Sequence, residues 1–413
     1  MTRNRQLAAL SFHRHDTATS TMTLITISVM LLPFYYVPQF ASSQLRVLPN
    51  GQQNEEDGQA SSNSPAAEDD RIIITTGQHT ANSSSSYFIF PSQEQLVLQS
   101  IDSSRQMDLA VLNGTWRVET ARILTQSLAG LDPQPPEMAS VVDHDIPSNE
   151  TGRQIHLRIY DPGVRDKPSP ALVFLHAGSW TAGTVDDFDN SIRRLANSSG
   201  LIVAAIDYRL APENPFPAGL NDVIDTVKWI KENGESIGID PNRIALGGDS
   251  AGANLALAST IALRNEGQGD AVRALYLLNG VYTPEKNTES MRLFGDGGYG
   301  ITKIQLQWAM NVTFQESEDW SNPLAFPLLD NLTGNLPPMY IAAMGLDPLK
   351  DESILLSEKL RLAGQEYYLS IWPGVTHGAI NLISVTPEIQ QYVDAMSTYL
   401  KGVLVSDQQE PAA

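Results

Sequence analysis

At 413 residues the chain is long enough to bury one large α/β core with additional segments, and too long to be one compact sheet domain alone. Its 47 acidic residues against 27 basic ones leave a formal charge of −20, which argues against nucleic acid or an anionic membrane surface as a main partner. Cysteine is absent and the seven histidines are scattered, so disulfides are excluded, no metal site is expected and nothing implies a cofactor.

Residues 1–21 carry Arg3, Arg5 and Arg14 and no lysine, residues 24–37 are mostly apolar, and Ala41-Ser42-Ser43 offers small residues for cleavage. That order is the pattern of a secretory signal peptide over residues 1–41, delivering the rest to the secretory lumen or the outside. With Pro33 inside it and Pro38 just after, the apolar run is short for a membrane helix, which needs roughly 20 residues. The long basic lead keeps open an uncleaved single-pass anchor, the one case in which a membrane is a partner. Residues 42–86, rich in Gln, Ser, Asn and acids, read as a disordered linker. Six N-glycosylation sequons, at Asn82, Asn113, Asn149, Asn197, Asn311 and Asn331, fit a secretory route.

Residues 87–140 form an N-terminal helical region, with an amphipathic pattern over 91–131 carried by Leu96, Leu109, Val111, Leu112, Ile123, Leu124 and Leu128. From 141 to 403 strand-like and helix-like stretches alternate. The strands fall at 155–160, 171–176, 201–207, 243–248, 274–278, 339–344 and 367–372. The helices fall at 217–233, 251–265, 349–363 and 387–401. Such alternation predicts an α/β fold, a mostly parallel sheet with helices on both faces. Residues 282–335, rich in Gly and aromatics, interrupt it as an insertion, and 404–413 form a tail.

Gly248-Asp249-Ser250-Ala251-Gly252 joins the apolar run Arg243-Ile244-Ala245-Leu246 to the helix former Ala253-Asn254-Leu255-Ala256. A serine on the tight turn between strand and helix holds its hydroxyl out of the sheet, and the flanking glycines let the backbone turn without clashes. Gly234-Glu235-Ser236-Ile237-Gly238 fits the same pattern but follows a helix, so Gly234 reads as the left-handed residue closing that helix and no strand feeds Ser236. Ser250 is the candidate nucleophile. Of the histidines only His377 lies after it, in a loop leaving the apolar segment 367–372. A base titrating near neutrality is what a serine nucleophile requires. Between them, Asp347 ends the apolar run 339–344 and opens Pro348-Leu349-Lys350-Asp351-Glu352, a strand-to-helix loop at a sheet edge. Asp351 and Glu352 fall in the first turn of the next helix, where carboxylates favour the dipole and face water. Asp347 is therefore the acid expected to fix the tautomer of His377.

Upstream, Leu172-Val173-Phe174-Leu175 runs into His176-Ala177-Gly178-Ser179-Trp180. These segments, with Asp207-Tyr208-Arg209-Leu210-Ala211-Pro212-Glu213, 247–254, 347–352 and 373–378, resemble the hormone-sensitive-lipase-like family of α/β-hydrolase esterases over residues 140–400. The resemblance implies the α/β-hydrolase fold and a triad of Ser250, Asp347 and His377. It further implies an oxyanion hole from the N–H groups of Gly178, Ser179 and Ala251, with His176 supporting the oxyanion loop. Residues 207–213 would be a scaffold turn, and the N-terminal helices would join the insertion as a cap. Two positions depart from the family pattern: His-Ala-Gly-Ser stands where His-Gly-Gly-Gly is usual, and Gly252-Ala253 where Gly-Gly is common. Hole donors belong to the main chain, so Ala and Ser can supply them where their dihedrals are accessible. The implied activity is hydrolysis of small-molecule short-chain esters through an acyl-enzyme. An amidase or deacetylase with the same triad, or a silent ligand-binding fold, remains open at this stage, as do the oligomeric state and the natural substrate.

Overall fold

The computed structural model describes residues 89–127, 134–164 and 166–405. The expected signal or anchor segment, the linker with Asn82, Leu128 and most of the expected tail lie outside them.

One eight-stranded sheet runs β1 (Ser140–Pro147), β2 (Gln154–Asp161), β4 (Ile202–Ile206), β3 (Ser169–Leu175), β5 (Ile239–Asp249), β6 (Ala274–Leu278), β7 (Met339–Leu346), β8 (Tyr367–Thr376). The pairs β1/β2 and β2/β4 are antiparallel and all others are parallel. Successive side chains of a strand point to opposite faces, and a strand covered on both faces must be apolar throughout. In β3, Ala171, Val173 and Leu175 enter one core layer while Leu172 and Phe174 enter the other. The first layer is closed by helices α4 (Ala218–Asn233), α5 (Ala251–Asn265) and α8 (Lys350–Leu362), the second by α3 (Asp189–Ser199) and α9 (Gln390–Val405).

Several expectations are corrected by packing. β1 was not foreseen: only Ile146 of it is buried, so its apolar signal is faint, and backbone pairing along β2 defines it. The single helical pattern 91–131 splits into α1 (Pro91–Leu112) and α2 (Val118–Gln126), the turn between them passing through Gly114 at φ 73°. Gly234 is right-handed at φ −54° and continues α4 into a 3₁₀ turn; the left-handed closing residue is Gly238 at φ 81°. β8 runs on through Pro373 and Gly374 to Thr376, so the expected loop begins only at His377. Proline is tolerated there because β8 is the sheet's edge. The insertion contributes α6 (Glu289–Phe294) and α7 (Lys303–Thr313), capped by the hydroxyls of Thr288 and Thr302. Helix α9 starts at Gln390 behind a 3₁₀ turn and continues to Val405, into the expected tail.

The first turn of α8 does not simply face water. Asp351 accepts from the N–H of Ser290 at 2.8 Å. Glu352 is 1 % exposed; it accepts from the N–H groups of Tyr282 (2.6 Å) and Thr283 (3.1 Å) and pairs with the buried Lys286 at 2.7 Å. This pair ties the chain leaving β6 to the helix that follows Asp347. Removing one partner of a buried pair leaves an uncompensated charge. Lys286→Met is expected to destabilise the fold by about 3–5 kcal/mol in urea unfolding. Arg105→Met breaks only the exposed 3.8 Å pair with Asp102 (69 % and 84 % exposed) and is expected to change little.

Candidate active site

Ser250 stands between the end of β5 and the start of α5, at φ 57° and ψ −114°. A non-glycine residue held there stores about 1–3 kcal/mol of strain. Its N–H donates to Leu278 O at 2.9 Å and its own carbonyl accepts from Asn254 at 3.1 Å, so neighbouring strand and helix both define the conformation. The elbow also presses against the end of β3: a Cβ on Gly248 would meet Leu175 O at 2.3 Å and one on Gly252 at 2.1 Å. Only glycine permits that approach. Ser236, by contrast, is exposed and donates to Asn233 O at 2.7 Å.

Asp347 is fully buried in the turn following β7, and its Oδ1 accepts from Leu349 N–H at 2.7 Å. The other oxygen, Oδ2, meets His377 Nδ1 at 2.9 Å, and His377 Nε2 lies 3.0 Å from Ser250 Oγ. His377 directly follows β8, and its N–H donates to Tyr299 O at 3.1 Å. Burial by itself would lower the pKa of His377. The charge and hydrogen bond of Asp347, with help from Asp249 and Glu352, outweigh it and hold the imidazole above its ordinary value. In this arrangement His377 Nε2 is placed to take a proton from Ser250 while Asp347 holds Nδ1.

The turn after β3 supplies the opposite wall. Gly178 adopts φ 126°, and a Cβ there would meet Ala182 O at 2.0 Å. Ser179 (φ 52°) and Trp180 (φ 59°) follow in left-handed geometry, which is why glycine would suit position 179. Among the described residues no acceptor pairs with the N–H of Gly178, Ser179 or Ala251. Gly178 and Ser179 line the same cavity as Ser250, and Ala251 opens the positive end of α5. His176 is buried, stacks on Tyr208 with centroids 4.3 Å apart, and faces Ala177 O through Nδ1 at 2.7 Å. Burial keeps its pKa below the ordinary value. Tyr208 donates to His176 O at 2.7 Å, and Ala211 N–H donates to Trp180 O at 2.9 Å, so residues 207–213 brace this turn. Arg122 of α2 adds a bond to Thr181 O at 3.0 Å.

Two site residues had no assigned role from sequence. Asp249 is buried beside the elbow, and burial pushes it up to about 6, partly offset by His377 and Asn279. Asn279 donates to Asp249 Oδ1 at 2.7 Å and lies 3.2 Å from His377 Nδ1. When Nδ1–H donates to Asp347 it has no lone pair for Asn279, so the firm bond of Asn279 is the one to Asp249. Its signal was a polar residue ending an apolar strand at the carboxyl edge of the sheet.

The cavity over Ser250 measures about 370 Å³ and is walled by α1, α2 and the insertion, with Met107, Leu124, Phe188, Ile301 and Trp308 among its lining. Apart from His377 its lining carries no ionisable acid or base. Among the described residues no His, Cys, Asp and Glu cluster could hold a metal, and no helix is long and apolar enough to cross a membrane. Of the sequon asparagines, Asn113, Asn149, Asn197, Asn311 and Asn331 are exposed, though the Asn149 amide is hydrogen-bonded to Asp225.

The profile of a family described as alpha/beta hydrolase fold matches residues 172–381. The carboxylic ester hydrolase LipN of Mycobacterium tuberculosis is 35% identical over 256 residues, 57% of this chain and 67% of that protein. An ethyl acetate hydrolase of Pseudomonas putida is 30% identical over 256 residues, covering 60% and 80%. A hyperthermophilic esterase from the archaeon Pyrobaculum calidifontis superposes with a TM-score of 0.69 at 31% identity, over 76% of this chain and 98% of that one.

Proposed function

The chain belongs to the hormone-sensitive-lipase-like family of α/β-hydrolases and is a carboxylic ester hydrolase, and from that premise we propose that Ser250, His377 and Asp347 cleave neutral, short-chain esters through an acyl-enzyme. The observation that carries this reading is the unbroken Ser250–His377–Asp347 path at 3.0 and 2.9 Å, opening into the apolar cavity. His377 Nε2 takes the Ser250 proton as Oγ attacks the ester carbonyl. The N–H groups of Gly178, Ser179 and Ala251 stabilise the tetrahedral oxyanion. The imidazolium, steadied by Asp347, then protonates the departing alcohol, and water releases the acid by the same steps in reverse. Helices α1 and α2 with the insertion act as the cap.

Ser250→Ala is expected to lower turnover of p-nitrophenyl acetate by about a millionfold and to abolish fluorophosphonate labelling, with Ser236→Ala near wild type. Asp347→Asn should cost about 10⁴ by leaving the histidine in the wrong tautomer. Because Asp347 raises the pKa of His377, the wild-type kcat/KM should fall on the acid side through an apparent pKa above the ordinary 6.5, and Asp347→Asn should move that limb to lower pH. Labelling of another serine, or swapped effects of Asp347→Asn and Asp351→Asn, would overturn the assignment.

Substrate neutrality rests on the cavity lining, where a charged acyl or alcohol group would lose water with no counter-charge to meet it. Chain length rests on Ser179, whose side chain lines the cavity beside a proposed hole donor and has no hydrogen-bond partner among the described residues. The name of one relative, the ethyl acetate hydrolase of Pseudomonas putida, supports short acyl groups. Acetate is expected to exceed octanoate in kcat/KM, and Ser179→Gly to keep acetate within about tenfold while raising relative activity on hexanoate and octanoate. An unchanged profile, or a wild-type preference for octanoate, contradicts this role.

The arginines before residues 24–37 and the small residues after them support export with cleavage near Ser42, and the exposed sequons suit glycosylation. Protein expressed in a eukaryotic host is expected in the medium, glycosylated and starting at or beyond Ser42 by N-terminal sequencing. Recovery only from membranes with residues 24–37 retained would instead indicate the anchor.

A further inference from the structure

Gln93 lies on α1, far in sequence from Ser250, and is fully buried. A buried primary amide is tolerated when its donor and acceptor ends both find partners. Here Nε2 donates to Thr386 Oγ1 at 2.8 Å, and Oε1 accepts from Thr376 Oγ1 at 2.9 Å. Thr376 is the last residue of β8, immediately before His377, and Thr386 precedes the 3₁₀ turn leading to α9. One side chain therefore clamps both ends of the segment that carries His377. Both threonines are buried as well.

The same helix reaches His377 by a second path. Ser100 Oγ donates to Gly298 O at 3.0 Å, Ser104 Oγ accepts from Gly298 N–H at 3.3 Å, and Asp108 accepts from Thr302 Oγ1 at 2.5 Å. The stretch so held includes Tyr299, whose carbonyl receives the His377 N–H at 3.1 Å, and Gly300, where a Cβ would meet His377 O at 2.6 Å. Upstream of α1, Ile89 adds a parallel bridge to Gly374.

We infer that Gln93 is a positioning residue for His377, and that α1 aligns the imidazole with Ser250 and Asp347 as well as walling the cavity. The inference rests on the proposed role of His377 as general base. Misplacing a catalytic group by about 1 Å costs on the order of 10²-fold in rate, so a clamp one residue from the histidine acts on kcat rather than on binding.

Gln93→Met keeps the length of the side chain and removes both bonds. In the full chain it is expected to lower kcat, and the rate of fluorophosphonate labelling, by about 10–100-fold. KM should stay within about threefold, at a temperature where circular dichroism shows the variant folded. The acid limb of kcat/KM should move to lower pH, because an imidazole drifting from Asp347 loses the charge that holds its proton; Asp249 and Glu352 are the other carboxylates acting on it. Combining Gln93→Met with Thr376→Val should cost no more than about twice what Gln93→Met costs alone, since Thr376→Val cuts a bond that Gln93→Met has already removed. An unchanged kcat, a change confined to KM, or multiplicative losses in the double variant would overturn the inference. If Gln93→Met does not fold, Thr386→Val decides: a kcat loss of at least about threefold, restored by Thr386→Ser, supports the clamp, and wild-type kcat refutes it. His377→Ala separates the two readings. Full activity in that variant would refute the base itself, whereas its loss beside an intact Gln93→Met would refute only the clamp.

Discussion

The close contact between the Ser250 elbow and the end of β3 is the constraint on which the site depends. Leu175 O lies so near the turn that any side chain at Gly248 or Gly252 would strike it, and the strained Ser250 backbone is held between Leu278 O and Asn254 N–H. This packing sets the start of α5 beside the turn that follows β3. The N–H groups of Gly178, Ser179 and Ala251 have no acceptor among the described residues in the region where Ser250 Oγ emerges. The strain is sustained because it is spread over two strands and a helix, each of which has a buried core to lose if the turn relaxes.

Electrostatics around this turn are arranged by burial. Four carboxylate-bearing or imidazole-bearing residues, Asp249, Asp347, Glu352 and His377, act on one another at the carboxyl edge of the sheet. Each carboxylate has a distinct partner: Asn279 for Asp249, Leu349 N–H and His377 for Asp347, and Lys286 with two main-chain donors for Glu352. The outcome is an imidazole held above its ordinary pKa in spite of burial, which is the sense required of a base that must accept a proton and keep it through the formation of a tetrahedral intermediate.

Much of the fold could be read from local pattern, and the exceptions share a cause. Residues 171–175 of β3, 244–246 of β5 and 339–344 of β7 are uninterrupted apolar runs because both their faces are covered, and such runs are visible in sequence. β1 is half solvated and polar, and its pairing with β2 is a non-local property. β8 passes through Pro373 and Gly374, residues that end most strands, at an irregularity of an edge strand where the register with β7 shifts and no ladder partner in β7 faces the proline. Glu352 reads as an ordinary solvated carboxylate of a helix's first turn until Lys286, distant in sequence, is brought against it.

By itself the sequence determined which residues could meet: a serine between two glycines after an apolar run, the one histidine downstream of it, and an aspartate at a strand's end. Those are local facts, set by backbone sterics and by the chemistry of side chains. Tertiary structure alone decided that Ser250, His377 and Asp347 lie at 3.0 and 2.9 Å, and that Asn279 and Asp249 stand behind the histidine. It also decided that Gln93, from a helix preceding the whole sheet, reaches the residue beside His377. The reason is physical: hydrogen-bonding groups removed from water must find partners wherever the packed chain supplies them, and no spacing in sequence records that search.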